Sequence, residues 1–279
     1  MVNFSAKATT KLPKIIGILN ITPDSFSDSG KFYQEENAIN HLEKLLQEGA
    51  DIIDIGAEST RPNSQILSAK EEIDRLKNIL PKISRNVEEF NKANKKNIMV
   101  SIDTYHYETL VFAHQNGVNI ANDVSGLIDK NIIKYIAKNN LMAVLMHNLS
   151  IHANPNIIIN RELNVFDEIC SWTKEKLQIL EQENIKKSQI IFDPGIGFSK
   201  NAKQSLRIIK NIQSYQILGM KIMVGHSKKS FLDELKIPKN PNLNRDEKTL
   251  ILSKYLAKKN VDYLRLHDVY GNIQAILNQ

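Results

Sequence analysis

Eight places in this 279-residue chain set carboxylates, amides, hydroxyls or basic side chains directly after a short apolar run. The first begins at Asn20 and continues through Thr22, Pro23, Asp24, Ser25, Phe26, Ser27 and Asp28. The second is Asp54-Ile-Gly-Ala-Glu-Ser-Thr-Arg-Pro62, the third Ser101-Ile-Asp-Thr104 and the fourth Asn122-Asp-Val-Ser-Gly126. Met146-His147, Asp193-Pro-Gly-Ile-Gly-Phe-Ser-Lys200, Gly225-His-Ser-Lys-Lys-Ser230 and Arg265-Leu-His-Asp268 complete the series. Singly, each has a structural explanation: Asp54 or Asp103 as a helix cap or ion-pair partner, Asn122 as a cap, Gly195 and Gly197 as turn residues. Together, at the same end of eight apolar runs, they point to a site.

The chemistry divides into two halves. Asp103, Asn122 and Asp193 offer acceptors and an amide, which suits a flat heterocycle presenting several N–H donors along a guanidine-like edge. Lys229 adds a donor for a carbonyl or ring nitrogen, and Arg265 a planar cation that stacks or forks. The other half binds anions: Arg61, Lys228, Arg265 and His267, with Asn20 and the hydroxyls of Ser59 and Thr60. A phosphate, diphosphate or carboxylate fits that set.

The elements that must position these groups alternate regularly. Apolar runs at 15–19, 51–55, 98–102, 118–120, 141–146, 189–192, 221–224 and 262–266 are separated by helix-like stretches near 36–48, 69–91, 105–116, 129–139, 161–184, 202–213, 246–259 and 269–277. Continuous apolar strands with helical crossovers imply a parallel sheet covered on its outer face. Eight such units predict a single α/β domain over residues 1–279, a (β/α)8 TIM barrel whose site lies at the C-terminal ends of the strands. A doubly wound open sheet is the alternative, but no Gly-rich dinucleotide fingerprint follows the first run.

Composition narrows the setting. The net charge is +6, and lysines scattered through helix-like segments read as a solvated surface rather than a nucleic-acid stripe. A basic balance also suits an anionic small molecule. The single cysteine, Cys170, excludes a disulfide framework and a Cys-rich metal site; it reads as a helical core position. No signal peptide is recognisable, and no run approaches the about 18 apolar residues of a membrane span, so a cytoplasmic enzyme is expected. His147 and His152 have no third metal-ligating partner nearby.

From Ile15 to the C-terminus, in order, these motifs resemble those of the dihydropteroate synthase family: Ile18-Leu-Asn-Ile-Thr-Pro-Asp-Ser-Phe-Ser-Asp28, Asp54 to Pro62, Ser101 to Thr104, Asn122 to Gly126, Asp193 to Phe198, Ser227-Lys-Lys-Ser-Phe231 and Arg265-Leu-His-Asp-Val269. The resemblance implies a pterin-binding barrel that joins 4-aminobenzoate to 6-hydroxymethyl-7,8-dihydropterin diphosphate, with Mg2+, giving 7,8-dihydropteroate and diphosphate. Carried over, Asp103, Asn122, Met146, Asp193, Phe198, Lys229 and Arg265 form the pterin pocket. Asn20, Arg265 and His267 contact the diphosphate, and Asn20 is the Mg2+ ligand. Phe26, Thr60, Arg61, Pro62 and Ser227 form the 4-aminobenzoate pocket that sulfonamide inhibitors share. Asp103, Lys229, Arg265 and Asn20 would carry catalysis, and the resemblance also implies a homodimer. Lys228 stands where the family commonly has Arg, and Ala57 and Ser199 where it often has Gly. The family's usual loop after Met146-His147 is not recognisable in Asn148 to Pro155.

The chemistry agrees. Diphosphate leaves readily once cations neutralise it, and the remaining methylene cation is conjugated to an electron-rich dihydropterin. A dissociative substitution follows, with Asp103 stabilising the positive charge. An arylamine is already neutral at pH 7, so no catalytic triad is required. Loops after the first two strands would exclude water. Two other readings share the pterin pocket: a methyltetrahydrofolate-dependent methyltransferase, and a non-catalytic pterin-binding paralogue. Neither needs the loop after the first strand, the Glu58-Ser-Thr-Arg-Pro62 motif and the Arg265/His267 pair together, and all three are present.

Overall fold

A computed structural model describes residues 12–22, 31–58, 66–151, 154, 156–237, 240 and 242–278, without the side chains of residues 31–34. Its eight strands are β1 (Lys14–Asn20), β2 (Ile52–Gly56), β3 (Met99–Asp103), β4 (Ile120–Asp123), β5 (Met142–Met146), β6 (Ile190–Asp193), β7 (Lys221–Val224) and β8 (Tyr263–Leu266). Each pairs in parallel with the next, and β8 returns to β1, closing the predicted (β/α)8 barrel. The strands are buried on both faces, which is why they read as unbroken apolar runs.

Around them lie α1 (Lys31–Glu48), α2 (Ala69–Leu76), α3 (Leu80–Asn94), α4 (Tyr107–Gln115), α5 (Lys130–Asn139), α6 (Val165–Gln182), α7 (Ala202–Lys210), α8 (Arg245–Lys258) and α9 (Val269–Leu277). The stretch expected as one helix over 69–91 is two. Pro81 stands in the first turn of α3; it cannot donate back to the preceding turn, and its ring excludes the carbonyl that a continuous helix would put there. The helical signal after β6 also ends early, at Lys210, with a 3-10 segment over Ile212–Leu218 following. Cys170 is buried on α6, as expected.

The pleat sorts side chains into two cores. Outward-facing Ile15, Leu19, Ile53, Ile55, Ile102, Leu145 and Phe192 pack beneath the helices. Inward-facing Ile16, Ile52, Ile120, Val144, Ile191, Met223 and Tyr263 fill the barrel floor, with Met99 and Met142 against them. Fully burying one such side chain contributes about 1.5–3 kcal/mol, so the floor is a large part of what holds the strands together. Further along the same faces, toward the strands' C-terminal ends, come Asn20, Asp54, Gly56, Asp103, Asn122, Met146, Asp193, Gly225, Arg265 and His267. The period of two thus carries each strand from apolar floor to polar mouth.

Candidate active site

Arg265 is the centre of the mouth. Register sets Ile18 beside Asp54, Asp103 beside Asn122, and Ile16 beside Arg265. The Arg265 guanidinium forks: Nε donates to Asp54 Oδ2 at 2.6 Å and Nη2 to Asp103 Oδ2 at 2.8 Å. Asn122 Nδ2 donates to both oxygens of Asp54, at 3.1 and 3.3 Å, which turns its own carbonyl oxygen away from that carboxylate. Asp54 is 1% exposed. A carboxylate so buried is held by paired, hydrogen-bonded partners and costs stability that an apolar residue would not. Burial pushes Asp103 up to about 7; Arg265 opposes this, while Asp54, Glu72 and Asp123 add to it. Burial also works against the charge on Arg265, but Asp54 and Asp103 outweigh it and hold the guanidinium firmly protonated.

Asp193 ends β6, next to Met146 on β5. Its Oδ1 accepts the Gly195 N–H at 2.7 Å, and its carbonyl accepts the His147 N–H at 2.9 Å. Gly195 has φ +66°, and a Cβ there would lie 2.0 Å from the His147 carbonyl oxygen, so only glycine makes this turn. Lys229 donates through Nζ to the Ile196 carbonyl and sits 4.6 Å from the centre of the Phe198 ring. Burial lowers Lys229 to about 8, Asp193 resists, and Arg265 adds to the lowering. Gly225 lies among these groups: a Cβ added there would be in ordinary contact, 3.8 Å from Arg265 Cβ and 3.9 Å from Asp193 Oδ2. Acceptors, a cation and an aromatic ring therefore converge on one side of the mouth, the groups that a planar heterocycle with N–H donors requires.

Gly56 plays the corresponding part near β1. A Cβ there would lie 3.5 Å from Asn20 Oδ1 and 3.7 Å from Asp103 Cβ, so the Asn20 amide oxygen sits over Gly56 on the same side as Asp103. At the far side, His267 Nδ1 is 2.9 Å from Ser227 Oγ. A directional chain behind holds this pair in place. Ser253 Oγ donates to Asn272 Oδ1 at 2.6 Å, and Asn272 Nδ2 donates to the Asp268 carbonyl at 2.6 Å. With its proton spent, Ser253 Oγ accepts from His226 Nε2 at 2.9 Å. Burial lowers His226 to about 4, with the Thr249 carbonyl opposing; the ring is neutral.

The structure brings together Asn20, Asp103, Asn122, Met146, Asp193, Phe198, Ser227, Lys229, Arg265 and His267 at the barrel mouth. Phe26, Thr60, Arg61 and Pro62 lie outside the described residues, as does most of the stretch from Thr22 to Asp28. Glu58 and Leu67, on either side of residues 59–65, are tied together: Glu58 Oε1 accepts the Leu67 N–H at 3.3 Å and the Tyr105 hydroxyl at 2.9 Å. Lys228 does not face the anion-binding group in this structure; it has φ +60° and its Nζ donates to the exposed Asp246 at 3.3 Å. The left-handed backbone turns it outward onto α8 while Lys229 turns in.

Three residues of the site were not singled out by motif reading. Asp54 was weighed only as a cap or ion-pair partner, yet it holds both Arg265 and Asn122; its signal was a carboxylate at an inward position of an otherwise aliphatic strand. Lys200 and His226 are buried behind the mouth, and burial of a polar residue in a loop has no sequence pattern of its own.

A family model for pterin binding enzymes matches residues 16–267. The chain belongs to this family. It is 38% identical over 264 residues to a dihydropteroate synthase of Clostridium beijerinckii, covering 94% of this chain and 91% of that one. The crystal structure of dihydropteroate synthase from Anaplasma phagocytophilum with bound 6-hydroxymethylpterin-monophosphate superposes with a TM-score of 0.85 at 36% identity, covering 96% and 98% of the two chains. A dihydropteroate synthase of Xanthomonas albilineans with 4-aminobenzoic acid gives 0.81 at 28% identity, covering 97% and 93%. Family membership agrees with the geometry: the matched span starts on β1 and ends at His267, just beyond β8, so it takes in every strand end of the mouth.

Proposed function

We infer that the chain catalyses the dihydropteroate synthase reaction of folate biosynthesis. The amine of 4-aminobenzoate replaces the diphosphate of 6-hydroxymethyl-7,8-dihydropterin diphosphate: a C–O bond breaks, a C–N bond forms, and the amine proton is released. The observation that carries this reading is the convergence of Asp103, Asn122, Asp193 and Lys229 with Arg265 at the barrel mouth, in a chain with dihydropteroate synthases as its relatives. In it, Asp193 and the Asn122 carbonyl accept from the N–H edge of the pterin, Lys229 donates to its carbonyl side, and Met146 and Phe198 supply apolar wall. Arg265 lies under the ring system, held flat by its two carboxylates. Asp103, beside the reacting carbon, stabilises the cation left when diphosphate departs.

The anion falls to Arg265, His267 and Asn20. Among the described residues no group of three or more His, Cys, Asp or Glu is placed to hold a metal ion. Mg2+ is usually held by one or two protein oxygens plus substrate phosphates, and the Asn20 amide oxygen beside Gly56 and Asp103 fits that donor type. When bound, Mg2+ neutralises the diphosphate leaving group. Phe26, Thr60, Arg61, Pro62 and Ser227 bind 4-aminobenzoate in this reading, and sulfonamides compete there. Among the described residues no helix is long and apolar enough to cross a membrane. The reading includes a cytoplasmic homodimer, as the family resemblance implies.

The test is direct. Purified protein with Mg2+ and both substrates should release diphosphate and dihydropteroate in equal amounts, and omission of 4-aminobenzoate should abolish the pteroate product. Pterin binding without any turnover would replace this reading with that of a binding paralogue.

A further inference from the structure

Lys200 is a lysine where the chain has no evident structural need for one. It is 6% exposed and follows the Gly195–Phe198 turn. Its Nζ donates to the Phe198 carbonyl at 2.8 Å and the His147 carbonyl at 3.2 Å, and lies 2.9 Å from His147 Nδ1. Burying an amine costs several kcal/mol unless it is paired and hydrogen-bonded, and a Met or Leu of similar length would fill the same space.

Three acceptors match the three N–H groups of an ammonium. An uncharged amine would also be saturated if His147 carried its proton on Nδ1, so hydrogen bonding alone does not decide between the two forms. The neighbouring carboxylate does. Nζ would lie 3.3 Å from a Cβ at Gly195, against the turn whose N–H donates to Asp193 Oδ1, so Lys200 and the carboxylate hold the same glycine without forming an ion pair of their own. Asp193 faces Lys229 from the β7 end, Arg265 from β8 and Lys200 from its own loop. Burial raises its pKa, and Lys229, the Gly195 N–H, Lys200 and Arg265 oppose that rise. Burial lowers Lys200 to about 7, with Asp193 opposing and Lys229 adding, so the ammonium prevails on the acid side of neutrality, where Asp193 would otherwise take up a proton. His147, lowered by burial and then by Lys200 to about 2, stays neutral.

We propose that Lys200 is a positioning residue for pterin recognition: a buried cation that pins the Gly195–Phe198 turn to His147 and keeps Asp193 in the acceptor form that an N–H edge requires. This rests on the pterin-binding reading of Asp193. Lys200 touches no substrate; it acts through Asp193 and through the position of Phe198.

Calorimetry with 6-hydroxymethylpterin between pH 5.5 and 8.5 tests it. Lys200→Met should move the acid limb of the affinity profile upward by about one pH unit, which weakens binding about tenfold at a pH on that limb and little on the plateau above it. In the Asp193→Asn background, where no carboxylate remains to be held ionised, Lys200→Met should cost less than about twofold, and the cycle isolates the coupling. If Lys200→Met does not fold, Lys200→Gln, which keeps a donor and removes the charge, carries the same expectations. A loss of affinity with an unmoved acid limb, or an equal loss in the Asp193→Asn background, reduces Lys200 to packing and overturns the proposal. Wild-type protein that does not bind 6-hydroxymethylpterin, or Asp193→Asn that binds it normally, overturns the pterin reading itself and this proposal with it.

Discussion

The floor and the mouth of the barrel are built on the same strands, two residues apart along the same inward face, and obey opposite rules. On the floor, Ile16, Ile52, Ile120, Val144, Ile191, Met223 and Tyr263 exclude water and have no polar demands beyond one hydroxyl. At the mouth, buried Asp54 and Asn122 and part-buried Asp103 and Arg265 hold one another in a charged network, with buried Asp193 beside it. The floor contributes stability from burial; the mouth loses stability by desolvating charges and gains a fixed geometry. Eight parallel strands allow both because the pleat keeps the two layers independent.

The comparison breaks most sharply at Arg265. Arg265→Met leaves Asp54 and Asp103 enclosed without their cation, so the melt should fall by about 3–5 kcal/mol, and dihydropteroate formation should drop below detection. Next in size is Ile191→Ala on the floor, which should cost about 2–5 kcal/mol through lost burial and a cavity. Because the cavity lies below the mouth, KM for both substrates should stay within about twofold in protein that remains folded at the assay temperature. If Ile191→Ala changed KM as strongly as it changed stability, the two layers would not be independent.

The apolar half of this arrangement was legible in sequence and the polar half only in part. Eight aliphatic runs separated by helical lengths imply a parallel sheet covered on both faces, and the number of units, with no Gly-rich fingerprint after the first, favours the closed barrel over an open sheet. The strand ends named the mouth for the same reason. Asp54 was harder, because its importance depends on facing inward opposite Arg265, which is 211 residues away. Lys228 and Lys229 are chemically identical neighbours, and only the left-handed φ at Lys228 sends one to Asp246 and the other to the site. The contact between Ser227 and His267 joins two groups that the family resemblance assigns to different substrates. Pro81 did mark the break between α2 and α3, but amphipathic periodicity on both sides concealed it.

A smaller effect, of opposite sign for stability and for turnover, is expected at Asp103. Its carboxyl is raised from 3.8 to about 7 in the fold. A raised acid contributes stability that is complete below its unfolded pKa and is lost as pH rises through the folded value. Across pH 5 to 7, wild type should therefore lose stability relative to Asp103→Asn, in which the titration is absent. Turnover should move the other way, rising as the carboxylate that faces the reacting carbon ionises. A difference between the two stability curves that does not depend on pH would show that Arg265 keeps Asp103 ionised throughout.

Gly225→Ala separates space from strain. The added Cβ meets nothing closer than 3.8 Å and the backbone is not left-handed, so stability should change by less than about 1 kcal/mol. It lies against Arg265 and Asp193, and pterin affinity should fall about tenfold while KM for 4-aminobenzoate is retained. Normal pterin affinity in this variant would move the heterocycle elsewhere in the mouth.

The smallest effect belongs to Lys228, the residue that sequence chemistry set among the anion contacts. Its partner Asp246 is exposed, and exposed pairs contribute about 0–1 kcal/mol at most. Lys228→Ala should leave KM for the pterin diphosphate unchanged and shift stability by no more than about 0.5 kcal/mol, an effect that salt diminishes further. Lys229→Ala, one residue on, removes the cation that sits against Phe198 and the Ile196 carbonyl, and should cost most of the pterin affinity. Steady-state kinetics on this adjacent pair therefore measures how strictly the turn at the end of β7 divides surface from site. A raised KM in Lys228→Ala would mean that its side chain swings from Asp246 onto the diphosphate when substrate binds, and the boundary between the two regions would then depend on the ligand.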